Sequence, residues 1–335
     1  MSTIMKTSGL AKMIYVIFKQ WKQKLKKILG KRIYIIWYWR AMLSPQTNLL
    51  AVTYANQKKT DGPGSQLQRI YGIYAISKFL KVKYIHSPLF KVDYYNFETL
   101  EAKTASQEML SEYNQIFTIP SDINLPDNCI IKEIGNPDLN TLYTLKREAV
   151  KNNTFTLVKI VLPYKITDSY PETYQAVKKI SPFIALKGFP LRVAMHIRRG
   201  ELFLVAPERL LPNHYYISVA TKVCKSLKNL NLPYKFEIYT EVALQNPEAN
   251  KLEEFQFIPN LEIFVNSHPI EPLRKMATAD ILIISHSSYS YLASLLNIKG
   301  TIIYNNFWHK PLNNWLIADD SGDFSEQKLL DTLTK

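Results

Sequence analysis

The sequence predicts an α/β chain with two Rossmann-like domains facing a cleft, preceded by a basic amphipathic N-terminal helical segment. Three observations carry this reading. A chain of 335 residues is long enough for roughly two domains. Short, continuously apolar runs, such as I-L-I-I at 281–284, alternate with helical stretches, the mark of parallel strands covered on both faces. Prolines at 163, 171, 182 and 190 punctuate the middle of the chain and divide it into two such alternations. The predicted units are 1–47, a basic amphipathic and aromatic segment; 48–185, an N-terminal Rossmann-like domain; and 186–335, a C-terminal Rossmann-like domain. With 47% hydrophobic and 21% charged residues the chain has enough apolar mass for real cores, which excludes a wholly disordered protein.

In the first segment Ile14, Phe18, Trp21, Leu25 and Ile28 recur at helical spacing, with Lys19, Gln20, Gln23, Lys26 and Lys27 on the other side. Gly30 breaks this helix, and an aromatic run follows with Tyr34, Trp37, Tyr38 and Trp39. Neither run reaches the roughly 18–20 apolar residues of a membrane span. Lysines also interrupt any signal-peptide core. The pattern reads as an anchor on an anionic membrane surface through residues 10–40. The plainer alternative is a helix that packs its stripe on the body and shows its lysines to water.

Most of the net charge of +14 lies at the N-terminal end of the chain. Twelve of the 42 Lys and Arg lie within residues 1–60, where there is no Asp or Glu; the remaining 30 meet all 28 acids, so the body carries +2. A nucleic-acid binder should carry its basicity on the folded domains, so nucleic acid is not the expected partner. Two cysteines, Cys129 and Cys224, cannot build a disulfide framework or a zinc site by themselves. They fit a reducing compartment, and the expected location is cytoplasmic, peripheral at a membrane surface.

In chain order, 48–54 (N-L-L-A-V-T-Y) reads as a buried strand, 57–65 as a glycine-containing loop, 66–80 as a helix and 83–86 as a short strand. This is an opening βαβ unit. Residues 91–118 read as mostly helical, 129–134 as a strand and 140–152 as a helix, while 153–190 yields no assigned element. The second half is cleaner. Strands are predicted at 191–197, 235–240, 261–265, 281–284 and 301–304, with helices at 214–227, 270–277 and 288–296. Ligands of such sheets bind beyond the carboxyl ends of the strands.

The strongest chemical signal is V-A-M-H-I-R-R-G-E at 193–201. A buried strand there delivers His196, Arg198, Arg199 and Glu201 at its carboxyl end. Paired arginines at that position suit a diphosphate, because the guanidinium fork matches phosphate bidentately. A salt-bridged strand end is the alternative. A second element, D-I-L-I-I-S-H-S-S-Y-S-Y-L at 280–292, places Ser285, Ser287 and Ser288 at a helix N-terminus, where free N–H groups favour an anion. Simple N-capping needs only one of these serines. The third is the loop D-G-P-G-S-Q-L-Q-R at 61–69, which on its own is ordinary turn chemistry.

Together these motifs carry a resemblance. H-I-R-R-G-E is similar to the His-x-Arg-Arg-Gly-Asp motif of α1,2-, α1,6- and protein O-fucosyltransferases. S-S-Y-S at 287–290 resembles the Ser-Ser-Phe-Ser stretch of the α1,2 group, and G-P-G-S-Q at 62–66 resembles the family's Gly-x-x-Gly-Asn-Gln loop. The chain departs from the family pattern at Glu201, which stands for Asp, and at Ser65, which stands for Asn. The resemblance implies a GT-B enzyme that moves fucose from GDP-fucose, as donor substrate, to a glycan or glycoconjugate hydroxyl. It implies inversion, with no metal or other cofactor. It also implies that Arg198 binds the β-phosphate and offsets charge on the leaving diphosphate. His196, Arg199, Glu201, Gly64, Ser65, Gln66, Ser285, Ser287 and Ser288 would support the donor, and Thr240 and Glu241 would contact guanosine. Glu208 and Asp61 are the candidate general bases. His86 ends a strand ahead of Pro88, while His214, His268 and His309 fall in loops with no legible partner.

Two other readings stay open: a glycosyltransferase using another nucleotide sugar, and a non-enzymatic scaffold associated with membrane or RNA. The anchor has its own test. The full chain is expected to float with anionic liposomes and a chain beginning at Asn48 to sediment; equal flotation of the two contradicts the anchor.

Overall fold

Buried parallel strands satisfy their backbone groups only in sheets covered on both faces, and the apolar runs of this chain assemble into two such sheets. The structure, a computed structural model, describes residues 36, 38–55, 61–95, 101–169, 171–184, 188–243 and 250–334. The basic stripe expected to hold a membrane therefore lies largely outside the described residues. Among the described residues no helix is long and apolar enough to cross a membrane.

The first sheet has four strands: β1 (Leu50–Tyr54), β2 (Lys83–Tyr84), β5 (Ile130–Gly135) and β6 (Thr156–Val161). Their order is β2-β1-β6-β5 and every pairing is parallel, with Leu50 opposite Thr156 and Ile130 opposite the same residue. Strand β6 lies between β1 and β5, within the stretch where the sequence yields no element. Thr156 and Lys159 interrupt its apolar run, and Leu162-Pro163 follows immediately. Residues 91–118 are not mostly helical. A hairpin of β3 (Asp93–Tyr95) and β4 (Ala102–Thr104) comes first, tied by Thr104 Oγ1 donating to Asp93 at 2.9 Å. Among the described residues of this stretch only Gln107–Phe117 is helix, capped by Ser106.

The second sheet has six parallel strands: β7 (Leu191–Ile197), β8 (Tyr234–Thr240), β9 (Leu261–Val265), β10 (Ile281–Ile283), β11 (Thr301–Asn305) and β12 (Leu316–Ala318). The order β12-β11-β10-β7-β8-β9 is that of a dinucleotide-binding domain, and it reverses between β7 and β10. That reversal leaves a crevice at the strands' carboxyl ends, because successive connections leave toward opposite faces. In the first sheet the neighbouring strands β1 and β6 end side by side, and the segments that follow both of them pack together.

One helix joins the two halves. Helix α1 (Pro63–Leu80) buries fourteen of its eighteen residues, so it has no polar face to turn outward. It packs on β1, on the 3-10 segment Pro171–Ile180 and on the helix Ser288–Leu296 of the second domain. The approach to that last helix is closest at Gly64. A Cβ there would lie 2.6 Å from Tyr289 Cα and 2.9 Å from its backbone nitrogen. Gly64→Ala is accordingly expected to cost about 1–3 kcal/mol by overpacking, lowering Tm by several degrees. Gly135→Ala, where nothing lies within 4 Å of the added atom, is the control. Equal melting of the two variants contradicts the close approach.

Candidate active site

The carboxyl ends of β1 and β6 face the reversal point of the second sheet across a cavity of about 320 Å³. The first domain lines it with Asp61, Ser65, Gln68 and Arg69 after β1, and with Tyr164 and Asp168 after β6. The second domain adds Arg209 after β7, Ser288 after β10, and Trp308 and His309 after β11. The cleft thus receives residues from the segments that follow β1 and β6 in the first sheet and β7, β10 and β11 in the second.

Two helix N-termini open beside it. Helix α1 begins at a Gly62 cap that supplies no side-chain acceptor, with Pro63 in its first turn. Its early N–H groups and the positive end of its dipole are therefore unclaimed by a cap. The helix Ser288–Leu296 starts from Ser287, whose hydroxyl accepts from the Tyr289 N–H at 3.3 Å. Ser287 is spent on capping, whereas its neighbour Ser288 lines the cavity.

Arg209 is the residue whose chemistry most needs a ligand. Its guanidinium stacks over the Trp308 ring at 4.4 Å, and its Nε–H is buried without an acceptor among the described residues. Burial and the neighbouring Arg198 both push its pKa down from the ordinary arginine value. A cation destabilised in this way gains from an incoming anion. Arg69, the other cation of the cavity, is already engaged: its Nη1 and Nη2 reach the two Asp61 oxygens at 3.0 and 2.6 Å.

The motif at the end of β7 forms a tight electrostatic cluster beside this cavity. Gly200, at φ 61°, adopts a left-handed turn that an L side chain resists. Across that turn Glu201 contacts Arg198. Arg198 Nη1 also pairs with Glu241 at 3.1 Å. Glu241 accepts from the Arg199 backbone N–H at 3.2 Å and lies 3.6 Å from His196 Nε2, beyond hydrogen-bonding distance. His196 Nδ1 bonds Ser285 Oγ at 2.8 Å. Burial by itself would raise the Glu241 pKa, but Arg198, His196 and the Arg199 N–H outweigh it and hold the carboxyl well below the usual range. A carboxyl depressed on folding contributes stability above its unfolded pKa and loses it as pH falls through the folded one. This clasp therefore persists through the ordinary carboxylate range and opens only in stronger acid.

Arg199 points elsewhere. It is 3% exposed, lies over the Tyr216 ring at 5.5 Å, and donates to Asn213 Oδ1 at 2.6 Å. It lines a second cavity of about 380 Å³ with Asn213, His214, Lys251 and Glu254.

The sequence-derived candidates thus separate into groups. Asp61, Ser65 and Ser288 line the inter-domain cavity, and Gly64 makes the helix contact beside it. His196, Arg198, Glu201, Glu241 and Ser285 form the cluster after β7, and Thr240 ends β8 next to it. Gln66 is fully buried and clamps its own loop, donating to the carbonyls of Asp61 and Lys91 at 2.8 and 2.9 Å. Glu208 is exposed in the turn Pro207–Arg209 and lines neither cavity. His86 bonds Tyr84 at 3.0 Å away from both cavities, and His268 lies 3.7 Å from Glu112 on the surface. His309, in contrast, has partners on both ring nitrogens. Arg209, Trp308 and Asp168 give no local signal in the sequence: each is an ordinary loop or helix-end residue until the strands bring it to the cleft.

No family model matches the chain, and no curated protein matches it. Among solved structures, a variant of Arabidopsis thaliana FUT1 in complex with GDP aligns over 88% of this chain and 79% of its own, at 9% identity and a TM-score of 0.37. POFUT1 in complex with GDP-fucose aligns over 75% and 95% respectively, at 14% identity and a TM-score of 0.39. The E. coli heptosyltransferase WaaC with ADP-2-deoxy-2-fluoro heptose aligns over 85% and 97%, at 9% identity and a TM-score of 0.36. These are distant likenesses in the course of the chain and leave its substrate to be argued from its own residues.

Proposed function

We propose that the chain is an inverting glycosyltransferase of the fucosyltransferase type. In this reading it moves fucose from GDP-fucose to a glycan or glycoconjugate hydroxyl, without a metal. The observation that carries the reading is the inter-domain cavity itself. It lies at the strand-order reversal of the second sheet and between two helix N-termini, and it contains Arg209, a cation whose buried Nε–H has no acceptor among the described residues. Such a cavity suits the diphosphate of a sugar nucleotide. The three sequence motifs that resemble fucosyltransferases all reach this region, which supports GDP-fucose among the possible donors.

In the transfer, the bond between the sugar's anomeric carbon and the diphosphate oxygen breaks, and its electron pair leaves with the nucleotide. An acceptor hydroxyl oxygen bonds to the opposite face of that carbon. Arg209 and the N-terminus of α1 then face the charge that grows on the diphosphate, where a fixed cation and oriented N–H groups need no reorganisation. Arg198 acts within its carboxylate clasp: held by Glu201 and Glu241, it fixes the turn 198–201 from which the chain continues to Arg209. The basic segment 10–40 would hold the enzyme at an anionic membrane surface on the cytoplasmic side, where a membrane-borne acceptor is accessible.

Thermal shift and isothermal titration with GDP, UDP and dTDP and their sugars test this. GDP and GDP-fucose are expected to stabilise the chain most. Arg209→Ala is expected to weaken GDP binding about 10- to 100-fold, the equivalent of about 1.5–3 kcal/mol for a charge-assisted contact. Arg198→Ala is expected to abolish turnover while the chain stays folded. Equal or stronger shifts with UDP or dTDP sugars would move the assignment to another donor. Absence of any nucleotide effect, with lipid or RNA binding retained, would favour a scaffold.

A further inference from the structure

The inter-domain cavity contains a hydrogen-bonded relay whose members are distant in sequence. His309 Nδ1 lies 2.8 Å from Asp168 Oδ1, and His309 Nε2 lies 2.8 Å from Ser288 Oγ. A carboxylate can only accept, so the Asp168 contact places the proton on Nδ1 and leaves Nε2 as the acceptor for the serine O–H. This is the order nucleophile or hydroxyl, base, orienting carboxylate. It crosses the domain boundary: Asp168 belongs to the first domain, Ser288 and His309 to the second.

The ring is held rigidly. It is 3% exposed and stacked on Tyr291 at 4.5 Å between centroids. Tyr304 and Tyr291 donate their hydroxyls to the carbonyls of His309 and Lys310 at 2.5 and 2.7 Å, pinning the loop on both sides of the imidazole. A ring needed only to fill space does not require a carboxylate on one nitrogen and a hydroxyl on the other. All three members also line the same cavity as Arg209. The base expected from the sequence has no comparable geometry: Glu208 lines neither cavity, and both Asp61 oxygens are engaged by Arg69.

We infer that His309 is the general base of the transfer, that Ser288 relays the proton to it, and that Asp168 is its positioning residue. This rests on the glycosyltransferase reading above. In the step, the acceptor hydroxyl gives its proton to Ser288 Oγ as the serine's own proton passes to His309 Nε2. The acceptor oxygen forms its bond to the anomeric carbon while the bond to the diphosphate breaks and its electrons leave with the nucleotide. The imidazolium so formed lies against the Asp168 carboxylate. It returns its proton to solvent or to the departing diphosphate, and Ser288 ends with one proton, as it began.

The test uses the full chain with GDP-fucose as donor and water as the simplest acceptor, following GDP release, with GDP affinity measured separately by titration. His309→Gln and His309→Gly are expected to lower kcat about 100-fold or more, within the usual worth of a general base, with the GDP Kd within twofold of wild type. Imidazole is expected to restore part of the activity of His309→Gly. Asp168→Asn is expected to lower kcat at least tenfold with KM for GDP-fucose unchanged. Wild-type turnover in His309→Gln overturns the inference. So does a parallel loss of GDP affinity and turnover, which would make the Asp168–His309 pair a tie between domains. Stoichiometric labelling of Ser288 by a fluorophosphonate would also overturn it, since the serine would then be a nucleophile. A wild-type chain that binds none of GDP, UDP and dTDP or their sugars removes the glycosyltransferase reading and the relay with it, whereas an active wild type with an equally active His309→Gln removes the relay alone.

Discussion

The contact between α1 and the helix Ser288–Leu296 sets the geometry on which the cleft depends. Gly64 lets the first turn of one helix meet the backbone of Tyr289 in the other, and no larger residue fits without moving one of them. Because both helices start at the carboxyl ends of their sheets, this contact also aims two positive dipole ends at one region. The cavity, the position of Ser65 opposite Ser288, and the reach of Asp168 to His309 all follow from how closely those helices meet. Tyr291, two residues further along, extends the same contact: it meets Tyr174 of the first domain edge-on at 6.4 Å and stacks on His309.

Charge is distributed around the cleft according to what each cation already has. Arg198 is shared by Glu201 and Glu241, Arg69 by the two oxygens of Asp61, and Arg199 is turned into a separate cavity by Asn213 and Tyr216. Arg209 alone among these four lies in the cavity with a buried N–H that no described acceptor meets. A paired arginine contributes structure and a fixed local field, while an unpaired one contributes binding. This division moves the anion-binding role from the arginines that stand out in the sequence to one that does not.

The architecture was legible where burial is complete and silent where it is not. Strands β7, β8 and β10 are apolar through most of their length because both faces are covered, and their positions follow from the sequence within a residue or so. Strand β6 lies between two strands but carries Thr156 and Lys159, and an adjoining proline reads as loop. The hairpin β3–β4 has three-residue strands that are largely exposed, too short for a periodic signal. The candidate site divides in the same way. His196, Arg198 and Ser288 are legible because each lies at or just after the carboxyl end of a buried strand, the place where a parallel sheet presents ligand-binding groups. The Asp168–His309 pair spans 141 residues and Arg209 follows a short turn, so neither leaves a spacing to read. Their roles depend on two domains meeting, which one segment of sequence does not encode.

The central claim is that one sugar nucleotide bridges both domains at the carboxyl ends of their facing sheets. Hydrogen–deuterium exchange of the full chain with and without saturating GDP measures this most directly. The account predicts simultaneous protection in three separated stretches: 61–69 at the start of α1, 198–210 after β7, and 285–291 at the start of the helix after β10. Protection confined to one domain, or none in any of the three at a GDP concentration that saturates binding, would contradict it.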